Sequence, residues 1–63
     1  MCEFKVFLDG DQVMDDVLYA RAEGGKVVLR DVIGMEKVIE GAEIVEVNVI
    51  GTRLILKGNG LPS

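Results

Sequence analysis

The sequence predicts an all-β fold in a single small domain. Val, Ile and Leu supply most of the hydrophobic residues, which make up 49% of the 63-residue chain. These are side chains that suit strands. Turn signals recur every ~8–10 residues, as in small barrels and sandwiches. For a chain this short, a small SH3-like or Sm-like barrel is the expected form of the sheet, because closure removes exposed edge strands. We therefore expect a barrel of about six short strands.

The first half of the chain predicts a hairpin followed by an ambiguous segment. One face of residues 2–8 is apolar, as in a strand: Cys2, Phe4, Val6, Leu8. Asp9-Gly10 is the residue pair of a tight hairpin turn. Residues 13–23 fit a strand with two buried faces, although Asp16 could instead cap one helical turn. We favour the strand.

The second half alternates glycine turns with short strands. Gly24-Gly25 leads into a strand over 26–33, a turn over 34–36 leads into a strand over 37–40, and strands follow over 43–50 and 53–57. In the 43–50 strand, Val45, Val47 and Val49 alternate with Glu46 and Asn48. We expect residues 1–58 to form the barrel and residues 59–63 a flexible tail.

Composition disfavours two classes of partner. The chain has 7 basic and 11 acidic residues and a formal charge of −4, which opposes binding to a phosphate backbone. RNA binding would instead depend on a local basic patch formed by Arg21, Arg30 and Arg53. No stretch approaches the ~18 apolar residues of a membrane span. One free thiol and no export signal predict a cytoplasmic protein.

Catalysis is not predicted. The chain has no histidine, so neither a serine nor a cysteine nucleophile would have its usual base. Asp15 and Asp16 are adjacent in a predicted strand and should point to opposite faces, converging only if the strand breaks there. The aspartates of residues 9–16 lack the spacing of a calcium loop.

Cys2, the only cysteine, has two interpretations. It shares a face with Phe4 and Val6, so it fits a small buried hydrophobic residue. It also follows the initiator methionine, whose removal would leave a thiol and a free amine on one residue. These two donors close a five-membered chelate ring that favours square-planar Ni(II) or Cu(II) over tetrahedral zinc.

One chain supplies too few donors for such a site, and two would complete it. A two-fold dimer that brings both Cys2 residues together provides two sulfur and two nitrogen atoms. A 63-residue domain with this aliphatic content is also expected to associate. Phe7 and Ile55, which fall opposite the inward residues of their strands, are the predicted interface.

Three segments carry a resemblance to the CooT family. They are "MCEFKVFL" at the start, "DVLYARAEGGKVVLRDVIGMEKVIEGAEIVEVNV" in the middle and "RLILK" near the end. The second contains the pattern V-L-x-D-[IV]-x-G at residues 28–34, after a glycine-rich turn. The chain resembles this family almost throughout, to Lys57.

The resemblance implies a homodimer of small barrels that binds nickel through Cys2. It also implies a role in the maturation of nickel carbon monoxide dehydrogenase, or with its maturation proteins. Family members have been labelled RNA-binding on fold grounds, which is an analogy between folds. The leading interpretation is thus a non-catalytic nickel metallochaperone. The alternative is a small Sm-like RNA-binding module.

Overall fold

The structure, a computed structural model, describes residues 3–58 and contains six strands, as predicted. Cys2 and the predicted tail at 59–63 lie outside the described residues. The strands are β1 (Phe4–Leu8), β2 (Asp11–Glu23), β3 (Lys26–Asp31), β4 (Glu36–Glu40), β5 (Ala42–Asn48) and β6 (Arg53–Gly58). In this range no helix is long and apolar enough to cross a membrane.

All six strands belong to one mixed sheet with the order β4-β3-β2-β1-β6-β5. β1 and β6 run parallel, with Lys5 beside Arg53 and Phe7 beside Ile55, and every other neighbouring pair is antiparallel. The parallel pair joins the first strand of the chain to the last. The N-terminal strand therefore lies inside the sheet rather than at an edge.

The two predicted hairpin turns are confirmed. Asp9 and Gly10 have φ angles of 50° and 91°, and Leu8 pairs with Asp11 across them. Gly24 and Gly25 have φ angles of 55° and 77°. Two successive residues with positive φ give a two-residue turn whose twist matches the flanking strands.

Residues 13–23 are strand, and the alternative of a helical turn is wrong. The pairing of β2 with β1 shifts between Met14 and Val17, which marks a β-bulge. Asp16 within it has φ 55°, a left-handed conformation that aspartate tolerates better than most residues. The bulge bends β2, so its first half pairs with β1 and its second half with β3.

The prediction of a closed barrel is wrong for the part of the chain that the structure describes. β4 and β5 are the two edges of the sheet and do not pair with each other. Only Gly41 separates them, whereas a hairpin needs about two linking residues and a parallel pair a long crossover. Gly41, with φ 68°, donates its N–H to the Gly25 carbonyl at 2.8 Å. The sheet curls so that its two edge strands, β4 and β5, come together at Gly41. Away from Gly41, the two edges stay apart and the sheet is open.

The core lies on the inner face of the curled sheet and is entirely aliphatic. It contains Val6, Val17, Val27, Leu29, Ile39, Ala42, Leu54 and Leu56. Burying such a side chain stabilises the fold by roughly 1.5–3 kcal/mol. A bulge between Ile44 and Glu46 interrupts the alternation predicted over 43–50. Val45, Val47 and Val49 are all exposed.

Candidate functional site

The loop between β3 and β4 is built on Asp31. Its Oδ1 accepts the main-chain N–H of Ile33 at 3.1 Å and that of Met35 at 2.9 Å. Gly34 has φ 88° and donates its N–H to the Asp31 carbonyl. The Asp and Gly of the 28–34 pattern are therefore turn residues, and they hold Ile33, 79% exposed, out in solvent.

The loop between β5 and β6 has a similar construction. Asn48 Oδ1 accepts the N–H of Gly51 at 2.8 Å, and Thr52 N–H donates to the Val49 carbonyl at 3.2 Å. These bonds explain why β5 stops at Asn48, before the predicted end at residue 50. Ile50 at the tip is 99% exposed.

Both loops lie at the end of the sheet where β1 begins. Lys5 N–H donates to the Thr52 carbonyl at 2.9 Å, and Phe4 pairs with Val17 of β2. Val32 N–H donates to the Asp16 carbonyl at 2.9 Å. Cys2 lies outside the described residues, two positions before Phe4 in the sequence.

Carboxylates gather at the same end of the sheet. The β2 bulge interrupts the regular alternation at Asp15 and Asp16, which is the exception that the sequence analysis left open for these two side chains. The negative charge of Asp15 is the main cause that raises the pKa of Asp16, followed by partial desolvation and the charge of Glu3. Asp31 adds a smaller contribution of the same sign.

These carboxylates do not form a metal site by themselves. Within residues 3–58, no three or more His, Cys, Asp or Glu side chains are arranged to hold a metal ion. A resident cation such as calcium needs six or more converging oxygen atoms. The cluster is a region of negative potential beside the N-terminus.

Arg21 and Arg30 are brought together on the outer face, around Tyr19. Their guanidinium carbons lie 5.9 Å and 5.0 Å from the centre of the Tyr19 ring, within the range of a cation–π contact. Arg21 also donates a hydrogen bond to the Tyr19 hydroxyl at 3.0 Å, and this bond is the main cause that raises the pKa of Arg21. The sequence suggested that Arg21 and Arg30 could lie together, but it did not show that Tyr19 would lie between them.

Both of these arginines are ion-paired. Arg21 contacts Glu23 at 2.7 Å and Arg30 contacts Glu36 at 2.8 Å. The hydrogen bond from Arg30 is the main cause that lowers the pKa of Glu36. Arg53 lies elsewhere, on β6 beside Lys5. The three arginines proposed for RNA binding therefore do not form one patch, and two of them have their charge balanced by a glutamate.

An apolar groove of about 250 Å³ opens where the sheet fails to close. It lies between β5 and the second half of β2, beside the start of β1. Its lining residues are Phe4, Val17, Leu18, Tyr19, Ala20, Ile44, Val47 and Leu54. Sequence reasoning missed it, because a closed barrel would have no such opening. The exposed valines of β5 were the available signal.

A comparison with models of known protein families identifies the family of this chain. Residues 1–57 match the family described as CO dehydrogenase accessory protein CooT. The chain belongs to the CooT family. The match to CooT proteins begins at Met1-Cys2 and includes the loop of Asp31 and Gly34. A comparison with individual curated proteins gave no match.

CooT proteins are thus accessory proteins for CO dehydrogenase. In this member, residues 28–34 comprise the end of β3 and the first part of the loop that Asp31 holds at the end of the sheet where β1 begins. The role of this segment is structural, since Asp31 is used in main-chain hydrogen bonds. Cys2, the only thiol in the sequence, lies within the matched range but outside the residues that the structure describes.

Proposed function

We propose that this CooT protein binds Ni(II) as cargo at Cys2 and holds it for a nickel enzyme. CO dehydrogenase is the enzyme that the family description names. The observation that carries the proposal is the family match over residues 1–57, which includes the only cysteine of a chain without histidine. We further propose that two chains share one nickel ion.

The chemistry of the donor set supports nickel. A thiolate and an amine or deprotonated amide nitrogen on one residue form a five-membered chelate, and two such pairs complete a square plane. Zinc prefers a tetrahedral set of Cys and His ligands, which this chain cannot supply. The described residues 3–58 offer no competing group of metal ligands.

The N-terminal end supports such a site in two ways. Hydrogen bonding of Lys5 to Thr52 and pairing of Phe4 with Val17 fix the start of β1, which begins two positions after Cys2 in the sequence. The carboxylates of Glu3, Asp15 and Asp16 give this end a negative potential. Such a potential raises the local concentration of divalent cations and speeds their arrival.

A nickel titration tests the proposal. Protein without Met1 is titrated with Ni(II), and bound nickel is measured by elemental analysis after gel filtration. We expect one nickel per two chains, with a thiolate-to-metal absorption band and no paramagnetism, as for square-planar d⁸ nickel. Cys2→Ser should abolish the band, while Glu46→Gln, an exposed carboxylate on β5, serves as the control that retains it. Equal affinity of Cys2→Ser and the parent would contradict the proposal.

A further inference from the structure

The free edge of β4 is regular, whereas the free edge of β5 is not. β4 and β5 are the two edge strands of the sheet. The pairing of β5 with β6 contains a bulge between Ile44 and Glu46, whereas all five residues of β4 pair with β3 in one continuous register. Bulges on an edge oppose the addition of another strand. β4 is therefore the edge that is geometrically suited to accept one.

Two hydrogen bonds at the ends of the β3–β4 ladder establish which backbone groups of β4 face β3. Asp31 N–H donates to the Met35 carbonyl at 3.0 Å, and Gly41 N–H donates to the Gly25 carbonyl at 2.8 Å. Hydrogen-bonded and non-hydrogen-bonded pairs alternate along an antiparallel ladder. Within β4, the residues at the odd positions 37 and 39 therefore bond to β3.

The backbone groups of Glu36, Val38 and Glu40 face the other way, toward the free edge. These three residues belong to the non-hydrogen-bonded pairs of the ladder. Among residues 3–58, no turn, loop or side-chain hydrogen bond uses their main-chain N–H or C=O groups. The edge of β4 thus presents three donors and three acceptors in a regular row, which is a template for one more strand.

The side chains of the same three residues select the charge of an added strand. They lie on the outer face, because Ile39 belongs to the core and side chains alternate along a strand. Val38 is 46% exposed and has an exposed carboxylate two residues away on each side. Opposite charges on directly opposed residues stabilise a sheet. An antiparallel strand is therefore favoured if it places basic residues opposite Glu36 and Glu40 and an apolar residue opposite Val38.

β3 shows the kind of sequence that β4 accepts. Residues 26–30 read "KVVLR" and lie antiparallel to β4, with Lys26 opposite Glu40 and Arg30 opposite Glu36. Arg30 forms an ion pair with Glu36 at 2.8 Å. Glu40 has no ion pair within the part of the chain that the structure describes. The charge of Glu40 is therefore available to a strand on the free side of β4.

We propose that the free edge of β4 binds an extended segment of a partner protein by strand addition. The segment runs antiparallel to β4 and has basic residues at the first and last of five positions, with apolar residues between them. Its backbone groups complete the hydrogen bonds of Glu36, Val38 and Glu40. Addition of a strand to a sheet edge is a recurring mode of peptide recognition. This binding requires neither nickel nor Cys2.

A second copy of this chain is a poorer occupant of this edge. Two β4 strands related by a two-fold axis at Val38 would place Glu36 of each copy opposite Glu40 of the other. β5 of a second copy would bring exposed Glu43 and Glu46 to the same edge, on a strand that is bulged. Like charges that lie directly opposite each other destabilise a sheet. The charges of the edge therefore favour a different protein with a basic segment.

Fluorescence anisotropy with a labelled synthetic peptide tests the proposal. The peptide copies residues 26–30, so the position of Val28 lies opposite Val38 and directs its N–H to the edge. We expect saturable binding to the full chain. N-methylation at the position of Val28 should weaken binding at least about tenfold, because it removes a hydrogen bond and places a methyl group between the strands. N-methylation at the position of Val27, whose N–H faces away from β4, is the matched control.

Substitutions in the protein locate the contact. Val38→Pro removes the N–H at the centre of the free edge and leaves the bonds to β3 in place, since proline is tolerated where the N–H of an edge strand faces solvent. It should weaken binding at least about tenfold, whereas Val38→Thr, which keeps the N–H, should bind nearly as the wild type does. Glu40→Lys should weaken binding at least about fivefold, and Glu46→Lys, the same change of charge on β5, less than about twofold.

Amide hydrogen exchange followed by NMR measures the edge directly. In the free protein, the N–H groups of Glu36, Val38 and Glu40 should exchange faster than those of Lys37 and Ile39, because only the latter two are bonded to β3. The peptide should slow the exchange of the three edge amides. Slowing that depends on protein concentration in the absence of peptide would assign the edge to a second copy and overturn the proposal.

Three further results would overturn it: no saturable binding of the peptide, equal affinity of the two N-methylated peptides, or unchanged affinity of a Val38→Pro protein that circular dichroism shows to be folded. If Val38→Pro fails to fold, the two N-methylated peptides still decide. Cys2→Ser should bind the peptide as the wild type does, and Glu40→Lys should bind nickel as the wild type does. Failure of strand addition and failure of the nickel proposal are therefore distinguishable.

Discussion

Asp31 and Met35 bond to each other in both directions. Met35 N–H donates to Asp31 Oδ1 at 2.9 Å, and Asp31 N–H donates to the Met35 carbonyl at 3.0 Å. The pair closes the loop that presents Ile33 beside the N-terminal end. This loop is also the best-defined internal pattern of the CooT resemblance. Its aspartate therefore has an explanation that does not involve ligand binding.

Asp31→Ala should lower the free energy of unfolding by about 1–3 kcal/mol. The substitution removes the acceptor of two main-chain N–H groups, and the loss of a hydrogen bond to a charged group has about this cost. Urea denaturation followed by circular dichroism measures the change. Because the loop lies apart from the core, the denaturant slope should stay unchanged.

Asp31→Asn is the matched control for that substitution. Its side-chain oxygen can accept the same two bonds, so most of the stability should return. If the alanine variant were as stable as the wild type, the turn would not depend on this carboxylate. If the asparagine variant were as unstable as alanine, the negative charge rather than the hydrogen bonds would be the cause.

Asp16→Asn should stabilise the protein at neutral pH. Asp15 and Glu3 raise the pKa of Asp16, so the folded state binds a proton more readily than the unfolded state does. A raised carboxylate pKa costs stability above the folded-state pKa, and this cost disappears as the pH falls below the unfolded-state pKa. The advantage of Asp16→Asn should therefore be largest above the folded-state pKa and shrink through the acidic range of aspartate.

The left-handed backbone at residue 16 requires a control, because asparagine also tolerates φ 55°. That conformational contribution does not depend on pH, so only the pH-dependent part tests the electrostatic cause. Asp15→Asn provides the second control. It removes the largest cause and should lower the pKa of Asp16, measured by NMR titration of the carboxyl carbon. An unchanged titration would contradict the assignment.

Local sequence signals predicted most of the fold. The Asp9-Gly10 and Gly24-Gly25 turns were predictable because positive φ at both positions is a local requirement. The strand over 13–23 was predictable from its alternation. Its bulge at Asp15 and Asp16 was not, since a bulge depends on how β2 is shared between β1 and β3.

Local sequence signals could not predict whether the sheet closes into a barrel. Closure depends on whether β4 and β5 pair, and the single residue Gly41 between them prevents a hairpin. For the site, the sequence indicated Cys2, which the described residues do not include. It could not show that Arg30 would be paired with Glu36, because that contact depends on the register between β3 and β4. The Arg21–Glu23 pair lies within β2, where residues two apart share a face.

RNA binding should be weak and strongly dependent on salt. Arg21 and Arg30 are each engaged by a glutamate, and the chain carries a net charge of −4, so few phosphate contacts are available. Fluorescence anisotropy with a single-stranded RNA at two salt concentrations measures this. Glu36→Gln, which frees Arg30, should strengthen any binding. Submicromolar, sequence-selective binding by the wild type at physiological salt would instead favour the RNA-binding function.

Nickel affinity should rise steeply between pH 6 and 8. A cysteine thiol has an ordinary pKa of about 8.5 and a terminal amine about 7.7–8.0, and each must lose its proton before it binds a metal. At pH 6, a thiol and an amine with these ordinary pKa values are largely protonated. A site with two sulfur and two nitrogen atoms from two chains should therefore release about four protons per nickel.

The count of protons distinguishes the two donor types. Calorimetry in buffers of different ionisation enthalpy measures it for protein without Met1, for an N-acetylated form and for Cys2→Ser. The acetylated form retains its thiol but not its amine, so it should bind more weakly or with a changed absorption spectrum. Cys2→Ser should lose the thiolate band without unfolding, since one small side chain near the chain end changes. A release of only about two protons by the unblocked protein would assign nickel to the thiolates alone, and no release at pH 6 would exclude Cys2 as the ligand.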